Sequence, residues 1–167
     1  MKNIIIICTG NSCRSQIAHG YFLFYLENQA NIYSAGVEKH GLNKNAIESM
    51  KRDGIDISQF TSDLIDKYLK IDFDYIITVC DHANESCPNF SSKKAIRIHK
   101  DFYDPSKKYN SDNIDLEFDK CRDDIKKFAL DFKKKYFKPV WQLALKPHWF
   151  SVVKWDHNFQ VFFLWSF

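Results

Sequence analysis

The sequence has no apolar run long enough to cross a bilayer, no strong excess of one charge sign and no even set of cysteines. Each absence excludes something. The four isoleucines of "MKNIIIIC" are too few for a signal-sequence core or a membrane span, so the protein is read as cytoplasmic. A net charge of +3, scattered along the chain, is too weak to indicate nucleic acid, although it suits a site for small anions. Five cysteines, at 8, 13, 80, 87 and 121, make an odd count without a signal sequence, which argues against a disulfide scaffold. Cys80 and Cys87 stand seven positions apart, with no second pair at the two-to-four-residue spacing of a zinc knuckle. No metal is expected. What remains is a chain of 167 residues, 45% hydrophobic and 27% charged, suited to one soluble domain with a substantial core.

The hydrophobic pattern sets the order of elements. Residues 2–7 read as a buried parallel strand and 15–27 as a helix. "NIYSAG" (31–36) reads as a second strand. "NKNAIESMKRDG" reads as a helix capped by Asn43 and stopped by Gly54. "DFDYIITVC" (72–80) is a third strand ending in cysteine, and "KKAIRIHK" a fourth. Residues 112–137 form a long amphipathic helix with Ile114, Phe118, Cys121, Ile125 and Phe128 on one side. This alternation points to an α/β fold with a central parallel sheet. Ligands of such sheets sit beyond the carboxyl ends of the strands, the edge where Cys8 and Cys80 both fall.

The stretch "CTGNSCRSQ" carries the chemistry. Five residues separate Cys8 from Arg14, and Ser15 follows. A loop of this length between strand and helix can turn the backbone N–H groups of Thr9, Gly10, Asn11, Ser12, Cys13 and Arg14 inward as a nest for a tetrahedral oxyanion, aided by the helix N-terminus. Gly10 permits tight curvature, Asn11 ties the loop through its amide, and Arg14 grips two oxygens with its planar fork. Cys8 lies at the base, facing the central atom, where the loop's positive field favours its thiolate. Ser15 can donate to that sulfur. Cys13 points away and packs beneath the loop, and Cys121 belongs to the core.

These residues resemble the anion loop of the low-molecular-weight tyrosine phosphatase superfamily, and within it the thioredoxin-coupled arsenate reductases. Further stretches agree in order: "YSAGVEKHGLNKNAIESMKRDGIDIS", "TSDLID", "DYIITVCDHANESCP" and "DP" at 104–105. The resemblance covers residues 1–137. It implies three layers, with a central four-stranded parallel sheet flanked by helices, and a monomer. It also implies a three-cysteine relay that reduces arsenate to arsenite. Cys8 attacks arsenic and Asp104 protonates the leaving oxygen. Cys80 then attacks Cys8, and Cys87 attacks Cys80. Thioredoxin reduces the Cys80–Cys87 disulfide as electron donor, and no bound cofactor is implied. Two extra thiols suit a reductase, which must pass two electrons per arsenate.

The alternative within the superfamily is a phosphatase acting on phosphotyrosine or other phosphomonoesters with Cys8, Arg14 and Asp104. Against it stand Ser106, where phosphatases of this fold place an aromatic, and Gln16, where they place proline. An oxyanion-sensing module without catalysis is a further alternative. Potassium-responsive family members carry glutamate at the position of His19. Asn11, Ser34 and Asp63 match the rest of that site, but imidazole is a poor cation ligand, so no potassium site is expected. Residues 138–167 hold all four tryptophans and two of the four prolines. They read as an atypical aromatic add-on to the 1–137 domain, interrupted by Lys146, Lys154 and Asp156. Alternatively they are a membrane-surface or partner-binding segment, or the product of a shifted reading frame.

Overall fold

The computed structural model describes residues 1–86, 92, 94–108 and 113–137. Cys87 and the tail at 138–167 lie outside the described residues. Four strands, β1 (Lys2–Cys8), β2 (Ala30–Gly36), β3 (Tyr75–Thr78) and β4 (Ile96–His99), form one sheet. All pairs are parallel, in the order β2-β1-β3-β4. Helices α1 (Arg14–Tyr25), α2 (Lys44–Arg52), α3 (Asp81–Glu85) and α4 (Ile114–Tyr136) join and flank them. The expected four-stranded parallel α/β fold is the one observed.

The isoleucine run explains why β1 is central. A strand covered on both faces needs an unbroken apolar run rather than an alternating one, and Ile4, Ile5, Ile6 and Ile7 are all fully buried. Full burial of each contributes about 1.5–3 kcal/mol, so the register of this strand is firmly set. Helix α4 follows its apolar stripe: Phe118, Cys121, Ile125, Ala129 and Phe132 are buried. Phe132 packs on Phe22 of α1 with ring centroids 5.0 Å apart. Helix α2 starts as its sequence says, with the Asn43 side chain accepting from the Asn45 and Ala46 amides at 2.9 and 3.2 Å. Gly54, at φ +81°, takes the left-handed turn that ends it.

Three differences from the sequence reading have physical causes. Strand β3 is shorter than residues 72–80. At its start the Asp74 carboxylate takes the Asn3 amide at 2.9 Å and the Lys2 ammonium at 2.6 Å, which ties the entry to β1 through a side chain. At its far end Cys80 caps a helical turn. That turn, α3, was not expected, since five residues carry no readable period. Strand β4 is the sheet edge and shrinks from "KKAIRIHK" to Ile96–His99.

The strand order places the site. From β1 the chain moves to β2 on one side and then to β3 on the other, so β1 and β3 flank the point where the winding reverses. Crevices at such points open beyond the carboxyl ends of the strands. Ile7 pairs with Thr78, and the Val79 amide donates to the Ile7 carbonyl at 2.9 Å. The loops that follow, with Cys8 and Cys80, therefore leave the sheet side by side.

Candidate active site

The loop after β1 is shaped by its carbonyls. Those of Cys8, Thr9, Gly10 and Ser12 accept from the amides of Val37, Glu38, His40 and Asn43 at 3.3, 2.8, 3.1 and 3.0 Å. A trans peptide points its C=O and N–H in opposite directions. Drawing these four carbonyls outward turns the amides of Thr9, Gly10, Asn11 and Cys13 to the inside of the loop, which makes an anion nest. The segment 37–43 is thus the outer brace of the nest, a role that reading the loop alone did not reveal. Its visible trace was Gly36: a Cβ there would lie 2.3 Å from the Glu38 carbonyl oxygen and 2.7 Å from that of Thr9.

Asn11, not Gly10, takes the special backbone conformation, with φ at +43°. Asparagine tolerates this region better than most residues. Its side chain then spans the loop. Nδ2 donates to Ser15 Oγ at 2.9 Å, and Oδ1 accepts from the Asp63 amide at 2.8 Å and from Gln16 Nε2 at 3.1 Å. The glycine at 10 serves close approach instead. A Cβ there would fall 2.4 Å from His40 Nδ1. Gln16 is fully buried and also donates to the Asn11 and Thr61 carbonyls, fastening α1 to the loop.

Cys8 and Ser15 meet at the base, with Sγ and Oγ 2.9 Å apart. Because Asn11 donates to Ser15, the serine proton is free to point at the sulfur. Arg14 opens α1. Its Nη2 pairs with Asp104 Oδ2 at 2.8 Å and its Nη1 donates to the Phe102 carbonyl at 3.1 Å. The other oxygen of Asp104 accepts from the Ser106 hydroxyl at 2.6 Å and from its amide at 3.0 Å. Ser106 therefore fixes the carboxylate and leaves Oδ2 facing the arginine.

Cys80 reaches the same rim. Its sulfur lies 3.3 Å from the hydroxyl of Thr9. Cys8, Arg14, Cys80 and Asp104 all line one cavity of about 960 Å³, floored by the loop and bordered by Glu38, His40, Tyr103 and Lys107. Cys13 is buried as expected, and burial pushes its thiol well above the ordinary cysteine value. Burial likewise raises Cys121 to about 12, and its sulfur donates to the Tyr103 carbonyl. Neither thiol is suited to nucleophilic work.

The other expected partners fall elsewhere. His19 Nδ1 lies 3.0 Å from Ser34 Oγ, and burial lowers its pKa to about 4, so the imidazole is neutral. The Asp63 carboxylate is held by Lys67 at 2.8 Å and Tyr68 at 2.6 Å. No group of three or more His, Cys, Asp or Glu poised to hold a metal occurs among the described residues. Nor, among them, is any helix long and apolar enough to cross a membrane. His99 lies against Thr78 and Asp81, at 2.9 and 3.0 Å.

A cysteine under an oxyanion nest, between a central parallel strand and a helix opened by arginine, defines a thiol-based oxyanion-loop protein on an α/β sheet. The family model for low molecular weight phosphotyrosine protein phosphatase matches residues 3–138, and the chain belongs to that family. It is 46% identical over 127 residues to an arsenate reductase of Halalkalibacterium halodurans, covering 75% of this chain and 91% of that protein. It is 45% identical over 132 residues to an arsenate reductase of Staphylococcus aureus strain Newman, covering 79% and 96%. A solved arsenate reductase in an oxidized state superposes with a TM-score of 0.70 at 27% identity, over 81% of this chain and 98% of that one. Vibrio vulnificus Wzb in complex with benzylphosphonate shares the fold, with a TM-score of 0.66 at 20% identity, over 80% and 98%.

Proposed function

We propose that the protein reduces arsenate to arsenite by passing a covalent bond along Cys8, Cys80 and Cys87, with thioredoxin as electron donor, in the cytoplasm. The observation that carries this reading is the meeting of Cys8, Arg14, Asp104 and Cys80 around one cavity. Arsenate has the shape and charge of phosphate. The nest amides and Arg14 bind its oxygens, and Cys8 thiolate attacks arsenic. Asp104 gives a proton to the departing oxygen as general acid. Cys80 attacks the sulfur of Cys8, the electron pair of the S–As bond stays on arsenic, and arsenite leaves. Cys87 then attacks Cys80, freeing Cys8, and thioredoxin returns the Cys80–Cys87 disulfide to two thiols with two electrons and two protons. The curated relatives named arsenate reductase support this reading over most of the domain.

Residues 1–137 carry the activity in this reading. They form a unit of their own, Met1–Phe137, by their contacts. A second reading, phosphomonoester hydrolysis at Cys8 with Arg14 and Asp104, is favoured by the family model that matches the chain. It fits as a side activity, because it needs the first half of the same chemistry.

One assay separates them. Arsenate, thioredoxin, its reductase and NADPH are combined and NADPH loss is followed. The Cys80→Ser and Cys87→Ser variants are each expected to lose arsenate turnover and keep hydrolysis of p-nitrophenyl phosphate. A parent protein that hydrolyses phosphomonoesters and consumes no NADPH overturns the reductase reading.

A further inference from the structure

Ser106 stands where phosphatases of this fold place an aromatic, and the structure gives it a contact that needs a hydroxyl. Its Oγ donates to Asp104 Oδ1 at 2.6 Å, and its amide donates to the same oxygen at 3.0 Å. The amide contact belongs to the turn. Asp104 precedes a 3-10 turn over Pro105–Lys108, whose Lys107 amide donates to the Asp104 carbonyl at 3.3 Å. An aspartate before such a turn commonly accepts from the amide two residues on. The buried Pro105 fixes the backbone between them. The hydroxyl contact is additional, and it depends on the side chain at 106. The two oxygens of Asp104 are thereby sorted. Oδ1 takes both donors of Ser106, while Oδ2 takes Arg14 Nη2 at 2.8 Å. Asp104 and Arg14 both line the cavity.

We propose that Ser106 is the positioning residue of the acid step: by holding Oδ1, it leaves Oδ2 as the oxygen that carries the proton to the leaving group. The proposal rests on the reading of Asp104 as general acid. When an oxyanion takes the Arg14 fork, Oδ2 loses its cation and faces an anion, which is where a proton is best placed. A proton on Oδ1 would instead face the hydrogen of the Ser106 amide. The step then balances. The Cys8 thiolate forms a bond to arsenic or phosphorus with a sulfur electron pair. The bond from that atom to the departing oxygen breaks, and its pair goes to the oxygen. The proton on Oδ2 passes to the same oxygen and leaves Asp104 as a carboxylate. Arsenate thus releases water, and a phenyl ester releases phenol. Without the Ser106 hydroxyl the carboxyl group is held on that side by one amide. It then turns more freely about its Cβ–Cγ bond, and the proton is aimed away from the leaving oxygen more often.

The test is single-turnover kinetics of the full chain, with protein in excess over substrate. Arsenate and phenyl phosphate have leaving oxygens that need a proton, whereas dinitrophenyl phosphate expels an anion stable without one. Ser106 is exposed, so its substitution leaves the core intact. Ser106→Ala is expected to slow arsenate and phenyl phosphate about tenfold and to leave dinitrophenyl phosphate within about twofold. Its affinity for inorganic phosphate, by calorimetry, is expected to match the parent. Ser106→Thr keeps the hydroxyl and is expected to restore both slowed reactions. Equal losses on all substrates, or no loss on any, overturn the proposal. Asp104→Ala, measured beside them, separates the two claims. A loss that depends on the leaving group in Asp104→Ala, with none in Ser106→Ala, overturns the proposal and keeps the acid. No such loss in Asp104→Ala removes the acid, and the proposal falls with it. Should the esters not react, arsenate turnover decides: Ser106→Ala as fast as the parent overturns the proposal.

Discussion

Arg14 and Asp104, 90 positions apart in the chain, are joined from Nη2 to Oδ2 at 2.8 Å. The guanidinium proposed to grip an oxyanion is therefore also the partner of the proposed acid. An arriving oxyanion and Asp104 compete for the same fork. Asp104→Ala is expected to bind inorganic phosphate several-fold more tightly, by calorimetry, because the competing carboxylate is gone. The same variant is expected to lose about 10²–10⁴-fold in kcat on a phosphomonoester with a poor leaving group, the usual worth of a general acid. Unchanged phosphate affinity would count against the competition.

Ser15 Oγ lies 2.9 Å from the Cys8 sulfur and accepts from Asn11, which leaves its own proton free to point at that sulfur. Ser15→Ala removes a hydrogen bond to the thiolate, of the stronger charge-assisted kind. Alkylation of Cys8 by iodoacetamide at pH 6 is expected to slow several-fold, with the fold intact by circular dichroism. An unchanged rate would remove Ser15 from the activation of the thiol.

Gly36 and Gly10 both admit a close neighbour, but of different kinds. A methyl at 36 meets the backbone of Glu38, Thr9 and Asn11, whereas the nearest atoms to one at 10 belong to the His40 side chain. Backbone that braces the nest cannot step aside, and a ring half-exposed at the rim can. Gly36→Ala is expected to destabilise by at least about 2 kcal/mol in urea unfolding, in the range of overpacking, and to abolish anion binding. Gly10→Ala is expected to cost less, and adding His40→Ala is expected to recover most of that loss.

His19 gives the protein a pH dependence of known sign. Its pKa is near 6.5 in an unfolded chain and about 4 here, lowered by burial. The unfolded chain takes up this proton first as pH falls. The stabilisation is complete above about pH 6.5 and is lost as pH falls from there through 4, to a total of about 3 kcal/mol. His19→Gln is expected to narrow the difference between urea midpoints at pH 7.5 and pH 4.5. Equal differences in parent and variant would show that this histidine is not the titrating group.

Removing residues 138–167 tests the division of the chain. Truncation after Phe137 is expected to leave phosphomonoester and arsenate turnover within about twofold, since the described unit buries its own core of fully covered side chains. Insoluble or inactive protein would assign the tail a role in the fold or the site.

Much of the site was legible because its parts are contiguous. Cys8, Arg14 and Ser15 lie in one contiguous stretch from the end of β1 to the first turn of α1, and the four isoleucines before it read as a strand covered on both faces. Asn43 and Gly54 announced the limits of α2 because capping is a matter of neighbouring residues. The parts that stayed hidden depend on distance. Nothing in "GVEKHGLN" says that its amides draw four loop carbonyls outward, and a five-residue helix after Cys80 has no period to read. His99 gave no sign of Asp81 or Thr78 as partners, because those contacts arise from sheet register.

By itself, the sequence determined the strand order of burial, the anion-loop composition and the identity of the thiols, since local sterics, capping and apolar periodicity act between near neighbours. Only the tertiary structure decided that Asp104 would hold Arg14, that Cys80 would lie against Thr9 and that His99 would reach Asp81 and Thr78. Parallel strands joined by long crossovers bring distant segments to one edge, and the winding reversal between β1 and β3 selects which segments those are.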